Sequence, residues 1–565
     1  MPLDDDFRRA MRGAGDLVFL PLGGSGEIGM NLNLYGHAGK WLMVDLGVTF
    51  GDPRAPGVEI VMPDPAFIVE RRDDLVGLVL THAHEDHLGA VPYLWPRLQC
   101  PVYATAFAAA ILRRKLSDVG LAAKVPITEV APGAKFGIGP FEIEMIYITH
   151  SIPEPTALAI RTSAGTVLHT GDWKLDDRPL VGPVTDDAAL RRAGDGGVLA
   201  LVGDSTNALR EGHSGSEAEV RAALIELIGR CRQRAIVACF SSNIARLETV
   251  AVAAMKHDRH VGLVGRSLWR MYEVARESGL LQDLPPFLDE SDASFIPRDK
   301  IALVCTGSQG EPRSALARIA ADDHPHIALE KGDTVIFSSR VIPGNELAIA
   351  RLQNGLVRQG VELISEDNLP AGLPGPIHVS GHPRREELAQ MYQWIRPRIA
   401  VPVHGEARHM QAHAELARSC QVPHAIVPEN GMAIRLSEAG PQIVGHAPAG
   451  RLALDGEALL PIDGPIFRSR SASQWNGVVV ATVVVDRKGR LVGDPRIAAP
   501  GLVDPESDRE FLDELAAAIS ETLAKLGPKA DDETIEQAAR KAIRRAARDL
   551  RGKRPATEVH LVRVR

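Results

Sequence analysis

The chain lacks any apolar run long enough to cross a bilayer; the valine-rich stretch Gly477 to Val485 is only strand-sized. Its start, Met1-Pro-Leu-Asp-Asp-Asp-Phe-Arg-Arg, has no apolar segment of the kind that opens a secretory signal. It also lacks a Cys-x-x-Cys pair. The five cysteines, Cys100, Cys231, Cys239, Cys305 and Cys420, are scattered and odd in number, which favours free thiols in a reducing compartment over a disulfide framework. Positive charge is not in surplus: the formal net charge is −8, so a polyanion would have to be held by a local patch. These absences predict a cytoplasmic globular protein with no membrane contact. At 565 residues it is too long for one core, so about three or four domains are expected.

What the chain does contain is concentrated after one short strand. Val76 to Leu80 is an apolar run that reads as a buried strand, and Thr81-His-Ala-His-Glu-Asp-His87 follows it directly. His82, His84, Asp86 and His87 place potential ligands on a tight turn, in the nitrogen and oxygen chemistry that zinc and similar ions favour. Upstream, the strand Leu17 to Leu22 runs into Gly23-Gly-Ser-Gly-Glu-Ile-Gly29, which has no Lys-Ser/Thr and reads as a close-packed turn rather than a phosphate loop. Asn31 to Tyr35 and Trp41 to Val44 look like paired strands ending at Asp45. That aspartate is either a group that orients a metal ligand or an ordinary turn residue.

Further polar residues close apolar runs in the same way. A strand from Phe141 to Thr149 ends at His150, and Thr166 to Leu168 leads to His169-Thr-Gly-Asp172. Beside four ligands already in place, His150 reads as a fifth, and the two oxygens of Asp172 suit it to bridge two ions. Val198 to Val202 ends at Gly203-Asp-Ser-Thr-Asn207. From there to about residue 370, strands alternate with helix-length segments such as Glu217 to Arg230 and Ala245 to Lys256, which predicts a parallel sheet. Arg398 to Val403 is a strand ending at His404, which would complete the ligand set. The stretch from 449 to 470 reads as a linker. Beyond it, strand Gly477 to Val485, helices Asp508 to Leu526 and Glu533 to Leu550, and strand Glu558 to Val564 predict a small α+β domain. In the second helix Ile535, Ala539, Ile543, Ala546 and Leu550 form the expected core stripe. Its basic residues are either a solvated face or a contact for RNA phosphate or a second subunit.

The HxHxDH cluster, with His150, Asp172 and His404 each closing an apolar run, resembles the metallo-β-lactamase superfamily. Asp204 in GDSTN, His382 in HVSGH and His404 in PVHGE look like the extra motifs of the β-CASP nucleases. TGSQGEP at 306–312, IPGNE at 342–346, HVSGH at 378–382 and GKRP at 552–555 narrow the resemblance to the bacterial ribonuclease J family. It implies an α/β chain: an αββα sandwich at 1–208 and 371–448, a parallel β-CASP domain inserted at 209–370, a linker at 449–470 and an α+β domain at 471–565.

The resemblance also implies one zinc on His82, His84 and His150 and a second on Asp86, His87 and His404, with Asp172 between them; manganese or magnesium could take their place. The activity implied is 5′→3′ exonuclease action on 5′-monophosphorylated single-stranded RNA, with endonuclease action as a second mode, in RNA maturation and mRNA decay. Hydrolysis would use a water activated by two metal ions. His382 would give the leaving oxygen its proton, since an imidazole titrates near working pH, and Asp204 would orient it. His378, Val379, Ser380, Gly381 and His382 would form the substrate-phosphate pocket. A homodimer or homotetramer through the C-terminal domain and a place in an RNA-degradation complex are the expected partners beyond RNA. Two other readings remain open. One is a small-molecule hydrolase on the same metal core, against which the long insert with HVSGH counts; the other is a silent RNA-binding or scaffolding subunit, against which the intact ligands count.

Overall fold

The computed structural model describes residues 15–52, 54–504, 506–526 and 530–564. The chain divides into two compact units: residues up to 49 with 62–449, and 50–61 with 450–565.

The first unit is built on two stacked sheets. An eight-stranded sheet carries Leu17–Gly23, Leu32–His37, Lys40–Val44 and Leu75–Val79 at its centre. A seven-stranded sheet carries Phe141–Tyr147, Thr156–Thr162, Gly165–His169, Ala200–Asp204 and Ile399–Val403. Their facing sides supply one core: Phe19, Tyr35, Leu42, Val44 and Val79 from the first meet Ile143, Met145, Leu158, Val202 and Val401 from the second. Alternation along each strand sends the other residues outward. On the second sheet those residues pack Leu168, Leu201 and Ala400 against Leu190, Leu388, Met391 and Ala417 of three helices. The result is the predicted αββα sandwich.

Strand direction then decides where the chemistry falls. Gly165–His169, Ala200–Asp204 and Ile399–Val403 run parallel, with His169 opposite Val202 and Asp204 opposite Val403. Their carboxyl ends therefore share one edge, where Asp172, Asp204 and His404 follow. In the other sheet Leu75–Val79 runs parallel to Lys40–Val44 and delivers His82 to His87. Short strands Ser25–Gly26 and Gly405–Glu406 pair beside this edge, so the glycine-rich turn lies against His404, whose N–H donates to the Gly24 carbonyl at 2.7 Å.

The inserted segment forms a five-stranded sheet in the order His260–Val264, Ile301–Cys305, Ala235–Ala238, Thr334–Phe337, Glu362–Ile364, with every pairing parallel. Helix Glu217–Arg230 starts where the Ser216 hydroxyl accepts from Ala218 N–H at 3.1 Å, and acidic residues fill its first turn.

In the second unit Val478–Val485 pairs parallel with Ala556–Arg563 and antiparallel with Arg496–Ala498. Strict alternation buries Val479, Ala481, Val483 and Val485 against Phe511, Leu515 and Ile519 of helix Arg509–Ala524 and Ile535 and Ile543 of helix Asp532–Arg551. Two expectations are corrected here. The second helix buries Ile535, Ala539, Ala542, Ile543 and Ala547, while Leu550 in its last turn is 45 % exposed. The stretch 449–470 is not plain linker: it carries the hairpin Arg451–Asp455/Ala458–Pro461 and opens helix Pro465–Asn476. Its two short strands lack the length by which a sequence pattern declares itself.

Candidate metal centre and phosphate pocket

At the shared strand edge the ligating atoms of His82, His84, His150 and Asp172 lie within 4.8 Å of one another, and so do those of Asp86, His87, Asp172 and His404. Asp172 belongs to both groups. A third set, Asp172, Asp204, His382 and His404, meets the same limit. Two backbone positions that disfavour ordinary side chains help to build the turn: Asp45 has φ +63° and His404 φ +51°. Gly47 packs so closely on the backbone of Asp86 and His87 that no Cβ fits there.

Each imidazole turns one nitrogen inward and anchors the other. His82 Nδ1 meets Thr81 Oγ1 at 3.0 Å, His84 Nε2 meets Ser242 Oγ at 3.1 Å, and His150 Nδ1 donates to the Gly381 carbonyl at 2.6 Å. His87 Nδ1 donates to Asp45 Oδ2 at 2.7 Å, and His404 Nδ1 meets the Asn31 amide at 2.9 Å. Asp45 thus holds the His87 ring in place, as a group that orients a ligand would. Inward, His82 Nε2 and His150 Nε2 each lie 3.0 Å from His84 Nδ1. His87 Nε2 and His404 Nε2 lie 3.1 and 3.4 Å from Asp172 Oδ2 and 3.7 and 3.6 Å from Asp86 Oδ2.

The electrostatics fit a cation. Burial, reinforced by the facing imidazoles, pushes His82 and His150 well below the usual histidine range, and burial pushes His84 down to about 4. At neutral pH these three rings are uncharged and offer lone pairs to one point, an arrangement that repels itself without a positive ion. Buried Asp172 Oδ1 and His404 Nε2 have no hydrogen-bond partner. Burial opposes the charge on His87, but Asp172, Asp86 and Asp45 outweigh it and raise its pKa. Burial likewise works against ionised Asp172, and His404, His87 and His382 overcome it. Nitrogen-rich and mixed nitrogen–oxygen donor sets of this kind suit a borderline divalent ion.

The HVSGH loop is fastened to this centre. Gly381 gives its carbonyl to His150, and a Cβ at Gly381 would lie 2.8 Å from His150 Cε1, so only glycine allows the approach. His382 stacks on His404 with ring centroids 5.7 Å apart and sets Nδ1 2.8 Å from Asp204 Oδ2. Burial alone would lower the His382 pKa; Asp204 and Asp172 reverse this and raise it to about 9. Ser380 Oγ accepts from Asn207 Nδ2 at 2.8 Å, which leaves its own proton free to donate. Burial, with Arg246 adding to it, holds His378 near 3, so the ring is neutral, and its Nδ1 is buried without a partner. The Val379 side chain is buried, so only its backbone can face a ligand.

Several supporting residues escaped the sequence reading. Buried Glu387 accepts from the N–H groups of Leu175, Ser214 and Arg384, each at 2.8 Å, and from Ser214 Oγ at 2.7 Å. It thereby ties the segment after Asp172 to the segment after His382. Buried Arg246 pairs with Glu217 at 3.1 Å and donates to the carbonyls of Ser338 at 2.7 Å and Ile377 at 3.3 Å, holding the start of the HVSGH loop. Asn31 is likewise a single polar residue outside any repeated pattern, whereas Asn207 and Ser242 stand where apolar runs end, as the sequence shows. Their only signal was a place at the end of a strand or turn.

Family models match along the chain: the metallo-β-lactamase superfamily over 30–229, the ribonuclease J β-CASP domain over 232–356, the Zn-dependent metallo-hydrolase RNA specificity domain over 376–427 and the ribonuclease J C-terminal domain over 467–564. Ribonuclease J of Sinorhizobium meliloti is 44 % identical over 559 residues, covering 97 % of this chain and 98 % of its own. Ribonuclease J of Mycolicibacterium smegmatis is 39 % identical, with 94 % of each covered, and that of Helicobacter pylori strain 26695 is 34 % identical over 99 % of this chain and 81 % of its own. A solved protein of unknown function from Enterococcus faecalis shares the fold over 74 % of this chain and 100 % of its own, at TM-score 0.51 and 16 % identity. No helix among the described residues is long and apolar enough to cross a membrane. Similarity over nearly the whole length, on a core whose clustered donors suit divalent metal, shows that the chain belongs to the ribonuclease J family of metal-dependent, RNA-binding ribonucleases.

Proposed function

We propose that the chain is a cytoplasmic 5′→3′ exoribonuclease for 5′-monophosphorylated single-stranded RNA, with endonuclease action as a second mode, serving RNA maturation and mRNA decay. The observation that carries this reading is the 2.6 Å bond from His150 Nδ1 to the Gly381 carbonyl, which joins a metal-ligand candidate to the loop suited to phosphate. A pocket so close to the centre leaves room for little strand between the held end and the bond to be cut. That favours removal of the terminal nucleotide.

In this reading His82, His84 and His150 hold one ion, Asp86, His87 and His404 hold a second, and Asp172 serves both; zinc suits the donors, with manganese or magnesium as alternatives. When bound, the ions make hydroxide accessible at neutral pH and offset charge gathering on the phosphoryl oxygens. The residues of the chain do the rest. Asp204 accepts from His382 Nδ1 and stabilises the imidazolium, so Nε2 is the atom that passes a proton to the departing ribose oxygen. His378, Ser380 and the backbone from Val379 to Gly381 hold phosphate, with the Ser380 proton available because Asn207 already fills an acceptor position on its oxygen. His382 gives up its carbonyl to Asn207 at 3.1 Å, which fixes the loop on both sides of the glycine. We assign self-association as a homodimer or homotetramer to the C-terminal part, where Trp475 is 75 % exposed, and with it membership of an RNA-degradation complex.

The test compares RNAs of one sequence with 5′-monophosphate, 5′-triphosphate or 5′-hydroxyl ends, labelled at each terminus. Mononucleotides should leave the 5′ end of the monophosphorylated RNA fastest. Products arising only from the 3′ end, or turnover of a lactone or thioester with none of RNA, would overturn the reading.

A further inference from the structure

Beyond the HVSGH loop, a second strand end reaches the same pocket. Strand Thr334–Phe337 of the inserted sheet ends in Ser338-Ser339-Arg340, and Ser338 Oγ donates to the Ile377 carbonyl at 2.6 Å, directly before His378. Arg246 spans both segments by donating to the Ser338 and Ile377 carbonyls. The Arg340 backbone is held in turn, since its carbonyl accepts from Gln309 Nε2 at 2.8 Å. Its guanidinium therefore leaves a fixed backbone rather than a free loop.

That guanidinium is half-buried, and among the described residues its one hydrogen bond is from Nη1 to Asn207 Oδ1 at 3.3 Å. Asn207 is the residue whose amide nitrogen donates to Ser380 Oγ and to the His382 carbonyl. No carboxylate stands within 4 Å of Arg340 among the described residues. Burial and the like charges of Arg210 and Arg384 weigh against it, and Glu366 acts on it only from farther away. A guanidinium held this way, short of a counter-ion and one residue removed from a serine free to donate, is a place for an anion.

We propose that Arg340 reads the charge on the 5′ end of the RNA, favouring a terminal monophosphate over a hydroxyl. The inference rests on the exonuclease reading above and gives its end-preference a specific source. A terminal monophosphate carries one to two negative charges where a free hydroxyl carries none and an internal phosphodiester only one, and a cation short of a counter-ion answers that added charge. Ser380 and the loop backbone would position the phosphate; Arg340 would supply the charge that tells one end from the other. Asn207 keeps the two halves of the pocket in register.

The test uses the full chain with its metal and measures kcat/KM on two RNAs that differ only in a 5′-monophosphate or 5′-hydroxyl end. Arg340→Gln should shrink the ratio between them about tenfold, and Arg340→Lys, which keeps the charge, should retain most of it. A ratio unchanged in Arg340→Gln, with wild type still preferring the monophosphate, overturns the role of Arg340 and leaves the exonuclease reading standing. A ratio lost equally in Arg340→Lys and Arg340→Gln also overturns it, because charge would then not be what the pocket reads. A wild-type protein indifferent to the two ends overturns both readings together.

Discussion

The strand edge of the first unit and the basic helix of the second carry charge in opposite ways. Around the clustered donors of the first unit lie charged groups that are buried and paired: Glu217 with Arg246, Lys174 with Asp176 at 3.0 Å, Asp45 with His87. In the tail the pairs are exposed, as in Arg540 with Glu558 at 3.4 Å, and Arg544 and Arg545 face solvent. Water screens the second kind and cannot reach the first, so number of charges says little about what they contribute. A single buried pair in the first unit should outweigh several exposed pairs in the second.

The comparison breaks most readily at Arg246. Arg246→Met leaves Glu217 ionised and buried with Asn243 as its remaining side-chain partner, and should cost about 3–5 kcal/mol, read as a lower urea midpoint with unchanged slope. A loss under about 1 kcal/mol would show that water reaches Glu217. A smaller effect follows from His413, which burial holds at about 4 while its ring nitrogens meet Ser205 Oγ at 2.9 Å and Tyr392 Oη at 2.8 Å. Its folded pKa lies below the ordinary value of 6.5, so its full contribution is present above 6.5 and is lost as pH falls towards 4. Between pH 6.5 and 5 that amounts to roughly 2 kcal/mol, and His413→Gln should flatten this part of the stability profile. The smallest effect belongs to the tail: Arg540→Ala should change stability by no more than about 0.5–1 kcal/mol, and less at high salt. A larger value there would erase the contrast.

The sequence made the clustered donors legible because each follows a short apolar strand, and parallel strands bring their carboxyl ends to one edge. His150 and His404 needed no pattern of their own once His82 to His87 had marked that edge. Glu387, Arg246 and Asn31 stayed hidden for the converse reason. Each acts through contacts to segments distant in the chain, and an isolated polar residue in a helix or turn looks the same whether it faces water or four buried donors. Leu550 shows a different limit. Its spacing from Ile535 puts it on the apolar face, but periodicity gives the direction of a face and not how far the neighbouring elements cover it. The hairpin at Arg451–Pro461 was lost through brevity.

The antiparallel pairing of Leu17–Gly23 with Met432–Leu436 has a consequence for synthesis. On the ribosome the opening strand has one edge without its neighbour until residues beyond 430 have left the exit tunnel, and His404 arrives only shortly before. A nascent chain therefore cannot bring all of the clustered donors together while most of it is still being translated.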